Sequence, residues 1–313
     1  MQFGLQIFQD ATLARPNLWD NLLRMALAAE DSGWSSLWMW DHFQLPPPYN
    51  PPGEAPMLEC MVGLGGLAVA TKRVLLGQLV LGVPYRNPAL VAKMASTLDV
   101  MSHGRSILGI GAGWAKEEYE AYGWGEWPET SERMRQLADA TRVILAMFGQ
   151  GPASYEGRHY HVRGALNDPP PVQRPHPPVM IGGSGERTTL RLVARYAQWC
   201  NVNGDPARVA GRLQTLREHC QDVGRPIEEI TLSNYLWCVI GRDEAEARRK
   251  REAMESVRRA YHGVYGSPQQ VIDQLGEYAR LGVQHCIVQL TGEHDPDAVR
   301  LFGQTVVPAL RSA

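Results

Sequence analysis

Asp41 and His42 stand side by side in "SLWMWDHFQLPPPY", where a short apolar run of strand character gives way to prolines. Histidine titrates near neutrality and can carry a proton to or from a reacting oxygen, and a nearby carboxylate can fix its tautomer. Adjacent residues on an extended chain point to opposite sides, so Asp41 need not bond His42 itself. A histidine simply exposed at a strand end is the plain alternative. In "MIGGSGERTTLRLVARYA", Gly182, Gly183, Ser184 and Gly185 lead into a helix expected to begin near Glu186. Free backbone N–H groups, the Ser184 hydroxyl and the positive end of a helix dipole would then meet at one point, which suits an anion such as a phosphate. An unliganded turn with a serine cap is the other reading, and no GK[ST] follows to make a Walker loop. In "GIGAGWAKEEYEAYGW", Gly109, Gly111 and Gly113 alternate before Trp114, Glu117 and Glu118. Bare backbone there would lie against a planar ring with Trp114 closing one side, or the strand would merely turn tightly.

These residues need a frame that brings them together. Apolar runs of strand length alternate with segments of helical period, the order of a parallel sheet built from strand-helix units. Eight strands are predicted: Phe3–Phe8, Ser36–Trp40, Val74–Leu81, Ser106–Ile110, Val179–Ile181, Trp199–Val202, Thr231–Ile240 and His285–Gln289. Helical patterns lie between them, among them Pro88–Met101, Ser131–Phe148, Arg187–Tyr196, Ala207–Val223, Asp243–Tyr261 and Ser267–Leu281. Eight repeats in 313 residues fit an α/β fold of the (β/α)8 TIM barrel type with insertions. A doubly wound open sheet usually has fewer strands, and no GxGxxG follows the first strand here. The chain reads as one domain over residues 1–313, with insertions at about 43–58 and 149–178, the second holding a hairpin-like pair. Barrel enzymes build their sites at the carboxyl ends of the strands. Asp41-His42, "GIGAGW" and "MIGGSGER" all fall there. Glycines dominate that face, whereas a metal enzyme would cluster histidines and carboxylates. Trp38 and Trp40 alternate on strand two and are expected to pack the barrel.

Composition narrows the field further. A formal net charge of -2 and 44% hydrophobic residues describe an ordinary globular chain, with no excess of positive charge to attract nucleic acid or anionic lipid. No segment approaches the 18 or so apolar residues of a membrane span, and no targeting stretch opens the chain, so a cytoplasmic protein is expected. Cys60, Cys200, Cys220, Cys238 and Cys286 are scattered and never at CxxC spacing, which speaks against a disulfide framework or a zinc site.

Taken together, "SLWMWDHF", "YRNPALVAKMASTLDVMSHGRSILGIGAGWAKEEYEAYG", "SERMRQL" and "RPHPPVMIGGSGERTTLRLVARYAQWCN" resemble the luciferase-like monooxygenase superfamily. More narrowly, they are similar to its branch of oxidoreductases that use the deazaflavin coenzyme F420. The resemblance implies a (β/α)8 barrel, hydride transfer between F420 and an organic substrate, and a homodimer. It places His42 opposite the reactive carbon of the deazaflavin, with Asp41 before it as a second catalytic candidate. It places a bulge with a nonproline cis peptide at Leu79-Val80, behind the ring. Ala112, Gly113 and Trp114 fall along the pyrimidine side, and Gly182, Gly183 and Ser184 match the phosphate loop. Trp114 and Phe43 are expected at the substrate pocket. Two departures stand out. The sugar-phosphate dehydrogenases of the branch carry a glutamate where this chain has Trp114, and a tryptophan where it has Leu45-Pro46-Pro47. Both changes make the substrate side less polar, so a carbonyl, enone or alcohol of fairly apolar character is expected in place of a sugar phosphate. An FMN-dependent two-component monooxygenase keeps the fold and changes the cofactor. A non-catalytic flavin or deazaflavin binder is the alternative of another class.

Overall fold

The computed structural model describes residues 1–7, 17–44, 56–183, 185–255, 263–290 and 295–311. In chain order the first half runs β1 (Gln2–Gln6), α1 (Leu18–Asp31), β2 (Ser36–Met39), α2 (Cys60–Ala70), β3 (Leu75–Gln78), β4 (Leu81–Gly82), α3 (Pro88–Met101), β5 (Ser106–Gly111), α4 (Lys116–Ala121) and α5 (Thr130–Met147). The second half runs β6 (Ala153–Glu156), β7 (His161–Ala165), β8 (Val179–Gly182), α6 (Thr189–Tyr196), β9 (Trp199–Asn203), α7 (Pro206–Val223), β10 (Thr231–Ile240), α8 (Glu244–Glu255), β11 (Gly263–Gly266), α9 (Pro268–Arg280), β12 (His285–Leu290) and α10 (Pro296–Arg311).

Strands β1, β2, β3, β5, β8, β9, β10 and β12 pair in parallel in that order, and β12 returns to β1 to close the ring. This is the (β/α)8 barrel that the strand-helix alternation predicts. Several helices begin where a capping residue precedes proline. Asn87 Oδ1 accepts from Ala89 N at 2.9 Å, and Asp205 Oδ1 from Arg208 N at 2.8 Å. Ser267 forms a capping box with Gln270, and Pro88, Pro206 and Pro268 each occupy the first helical position, where no N–H is needed.

A small cluster of Trp38, Ile107, Met180, Trp199 and Ile287 packs together apart from the larger core that lies against the helices. Trp38 is fully buried, and the strands beside it make room: a Cβ on Gly4 of β1 or on Gly77 of β3 would come within 2.4 or 2.2 Å of the indole. The indole Nε1 donates to Ser36 Oγ at 2.7 Å, and Ser36 Oγ lies 2.8 Å from His285 Nε2. Burial, with the chain's positive N-terminus nearby, lowers the His285 pKa to about 3, so this ring is neutral.

The structure keeps the expected break in the third strand and departs from the expected elements elsewhere, the short helix α4 among the departures. The cis peptide expected at Leu79–Val80 is present and splits the third strand: β3 ends at Gln78, and the short β4 resumes against β5. Helix α6 begins at Thr189 instead of near Glu186, because residues 186–188 form a turn. Helix α2 and the short strand β11, which extends the sheet beside β10, were not anticipated. Of the helix expected over Asp243–Tyr261, the structure describes Glu244–Glu255 and the remainder lies outside the described residues. The hairpin-like pair in the second insertion is the antiparallel ribbon β6–β7.

Candidate active site

A cavity of about 390 Å³ opens at the carboxyl ends of the barrel strands. Strand β2 delivers Trp40, Asp41 and His42 to its wall, and the β3–β4 junction delivers Leu79, Val80 and Gly82. The end of β5 contributes Gly111, Ala112, Gly113 and Trp114, and the end of β8 contributes Gly182 and Gly183, with Thr189 of α6 beside them. Asn201 and Asn203 of β9 and Tyr235 and Trp237 of β10 line it as well. Trp40 was expected to pack the barrel with Trp38, but it lines the cavity while Trp38 lies in the inner cluster.

Asp41 and His42 turn to different partners. Asp41, 4% exposed, accepts two hydrogen bonds from Arg86, Nη1 to Oδ2 and Nη2 to Oδ1, both at 2.8 Å, and a third from Gly82 N at 2.9 Å. Burial pushes the Asp41 carboxyl up, and the Arg86 guanidinium and Gly82 N–H act against that. Burial works to lower Arg86, but Asp41 and Glu59 outweigh it and hold the guanidinium above its ordinary value. With Glu59 Oε1 2.6 Å from Arg86 Nη2, the geometry is that of an ionised cluster.

His42 Nδ1 lies 3.0 Å from Oε2 of Glu118, a carboxylate on α4 with no exposed surface. The same carboxylate accepts from Tyr85 Oη at 3.0 Å, from Gln44 N at 3.0 Å, and from Phe43 N. Burial, then the Glu118 charge, pushes the Tyr85 phenol well up, so it remains a donor. The His42 ring meets Trp114 edge to face at 5.1 Å and Trp40 at 5.7 Å. Trp114 itself is 53% exposed, at the mouth.

Of the site residues expected from the sequence, Asp41, His42, Leu79, Val80, Ala112, Gly113, Trp114, Gly182 and Gly183 meet around one cavity. Ser184 and the Leu45-Pro46-Pro47 stretch lie outside the described residues. Phe43, expected at the substrate pocket, is absent from the cavity wall. It packs on Tyr122 at 4.9 Å, Trp124 at 5.3 Å and Tyr85 at 5.6 Å, with Arg86 over its ring at 5.3 Å. The glycine loop also differs in detail from the expected nest of free N–H groups, because Gly183 N donates to Asn201 O at 3.3 Å. Glu118, Arg86, Tyr85 and Asn201 were missed. Arg86 had one signal, a charge in "PYRNP" at the end of a barrel strand, and Glu118 had its place just after the "GIGAGW" turn.

A closed parallel barrel whose strand ends surround a cavity, with Gly111, Gly113, Gly182 and Gly183 in its wall, defines a class: (β/α)8 barrel proteins with a small-molecule cavity at the carboxyl ends of the strands. The particular family follows from the match of residues 1–265 to the luciferase-like monooxygenase model, and the chain belongs to that family. It is similar to the F420-dependent glucose-6-phosphate dehydrogenase of Microbacterium testaceum (strain StLB037), with 28% identity over 323 residues, 93% of this chain and 94% of that one. Among solved structures, an F420-dependent secondary alcohol dehydrogenase in complex with an F420-acetone adduct superposes with a TM-score of 0.82 at 20% identity, covering 99% of each chain. A riboflavin lyase with modified FMN and riboflavin superposes with a TM-score of 0.85 at 16% identity, covering 100% of this chain and 91% of that one.

Proposed function

We propose that the protein is an oxidoreductase that uses coenzyme F420 to move hydride to or from a small, fairly apolar organic substrate bearing a carbonyl, enone or alcohol. The observation that carries this reading is His42, held by a buried carboxylate, at the wall of a glycine-sided cavity. The residues present suit a flat, phosphate-bearing ring. Gly111 and Gly182 leave room for Val80, which with Leu79 offers an apolar back, and Gly182, Gly183 and Thr189 would hold the phosphate end. The deazaflavin supplies a carbon that takes or gives hydride. The chain supplies the rest: His42 gives or takes the proton on the substrate oxygen, and Trp40, Trp114, Tyr235 and Trp237 exclude water around it.

The apolar substrate class rests on the same wall. Among the described residues that line the cavity none is Lys or Arg, so none of these offers a cation to the phosphate of a sugar phosphate. Titrating the protein with F420 and following fluorescence quenching tests the cofactor, and low-micromolar or tighter binding is expected. Absorbance of the cofactor then reports turnover against secondary alcohols, ketones, enones and glucose 6-phosphate. Binding of FMN in place of F420 would overturn the cofactor and favour a monooxygenase, and tight F420 binding with no turnover on any of these would favour a carrier or sensor.

The same reading includes a homodimer and a place in the cytoplasm. Helix α2 leaves Val62 76% and Val69 61% exposed, and Leu90 of α3 is 53% exposed beside it, an apolar face suited to a second copy. Among the described residues no helix is long and apolar enough to cross a membrane. Light scattering after size exclusion is expected to give twice the 34.8 kDa chain mass, and a Val62→Glu/Val69→Glu variant to give the single chain.

A further inference from the structure

We infer that Glu118 is the positioning residue of the site: it fixes the His42 imidazole with Nδ1–H turned to its carboxylate and leaves Nε2 as the nitrogen for the substrate. This rests on the proposed role of His42 and goes beyond it by naming the atom that handles the proton and the group that selects it.

The argument begins with donors and acceptors. Glu118 has no exposed surface; Phe43 N and Gln44 N donate to Oε1 and Tyr85 Oη donates to Oε2, and His42 Nδ1 lies against the same Oε2. A carboxylate can only accept, so the His42 nitrogen 3.0 Å away must carry hydrogen in both the neutral and the charged ring. Nε2, on the far side of the ring, is then the unprotonated nitrogen of neutral His42, in a residue that lines the cavity. When His42 takes a proton there, the charge is balanced by a buried carboxylate already in place.

The two backbone donors extend the effect to the chain itself. Phe43 and Gln44 directly follow His42, so one carboxylate holds both the ring and the segment that carries it. Asp41 cannot substitute, because Arg86 and Gly82 N occupy it. The titratable groups bonded to His42 or to its partner are Glu118 and Tyr85, while Arg86 and Glu59 gather on the preceding Asp41, and Tyr235 lines the same cavity.

Nitrogen-edited NMR of histidine-labelled protein tests this without any cofactor. Wild-type His42 at high pH is expected as the Nδ1–H tautomer, and a predominant Nε2–H tautomer would overturn the inference. In Glu118→Gln the amide oxygen is expected to stay on the two backbone N–H groups, which turns the NH2 toward Nδ1 and reverses the tautomer. An unchanged tautomer in that folded variant would also overturn it. In turnover assays, Glu118→Gln is expected to lower kcat with KM little changed, since the ring no longer presents an unprotonated Nε2 to the substrate. F420 affinity is expected to stay within about threefold. A purely structural role would lower folded yield and F420 affinity together and leave the His42 tautomer unchanged. Should Glu118→Gln fail to fold, the wild-type tautomer still decides. Failure of F420 to bind wild type would remove the proposed function while leaving the tautomer result intact.

Discussion

Arg86 grips Asp41 at two points, with both terminal nitrogens 2.8 Å from separate carboxylate oxygens, and this bond joins the end of β2 to the segment after β4. The pair is nearly closed to water, with side-chain exposures of 10% and 2%. Removing one partner of such a pair leaves the other charge buried, at a cost of about 3–5 kcal/mol. Asp41→Ala is expected near the lower bound, because Glu59 remains on Arg86. Urea unfolding measures it, and a loss below about 1 kcal/mol would show the clamp to be unimportant for stability.

His42→Ala is expected to lower kcat by roughly 10²–10⁴ while F420 binding changes little, the pattern of a lost proton-transfer group. Stopped-flow reduction of F420 with the best alcohol gives kcat, and fluorescence quenching gives the affinity. Equal loss of both would make His42 a cofactor-holding residue instead.

Gly109 and Gly211 should respond oppositely to alanine. A Cβ on Gly109 would stand 1.9 Å from the Gln78 carbonyl oxygen, at the junction of β3 with the cavity wall, whereas one on Gly211 of α7 meets open space. Gly109→Ala is expected to cost about 1–3 kcal/mol and to weaken F420 binding at least tenfold. Gly211→Ala is expected to stabilise the fold by about 0.5–1 kcal/mol with binding unchanged. Thermal unfolding and cofactor titration of both variants check the contrast.

His285 should make the fold sensitive to mild acid. Its folded pKa of about 3 lies below the ordinary 6.5, so the unfolded chain takes up the proton first. Stability from this group is complete above pH 6.5 and falls as pH drops toward 3, at up to ~1.4 kcal/mol per pH unit. Urea midpoints at pH 8, 7, 6 and 5 are expected to be level and then decline, with a shallower decline in His285→Gln. Identical slopes in the two proteins would remove His285 as the cause.

Strand-helix alternation made the barrel legible, because a buried parallel strand reads as a short apolar run and its helix as a 3.6-residue period. Helix α2 escaped because "CMVGLGGLAVA" is apolar on every side and holds Gly63, Gly65 and Gly66, so no period marks it. Asp41, His42 and the glycine walls were legible as unusual residues at strand ends. Their partners were not. Glu118 lies 76 positions beyond His42, and Arg86 lies 45 beyond Asp41, and one sequence carries no signal for such pairing. Phe43 was misplaced for a related reason: the rings it joins, Tyr85, Tyr122 and Trp124, come from two other loops.

The bonds of Glu118 and Arg86 have a mechanical result. Together they tie residues 41–44 after β2 to the segments after β4 and β5, so that none of these segments can move outward without dragging its neighbours. Reshaping this barrel for a bulkier guest therefore falls to the facing arc, where Asn203, Tyr235 and Trp237 stand. An engineer seeking altered selectivity would begin there and leave the laced side alone.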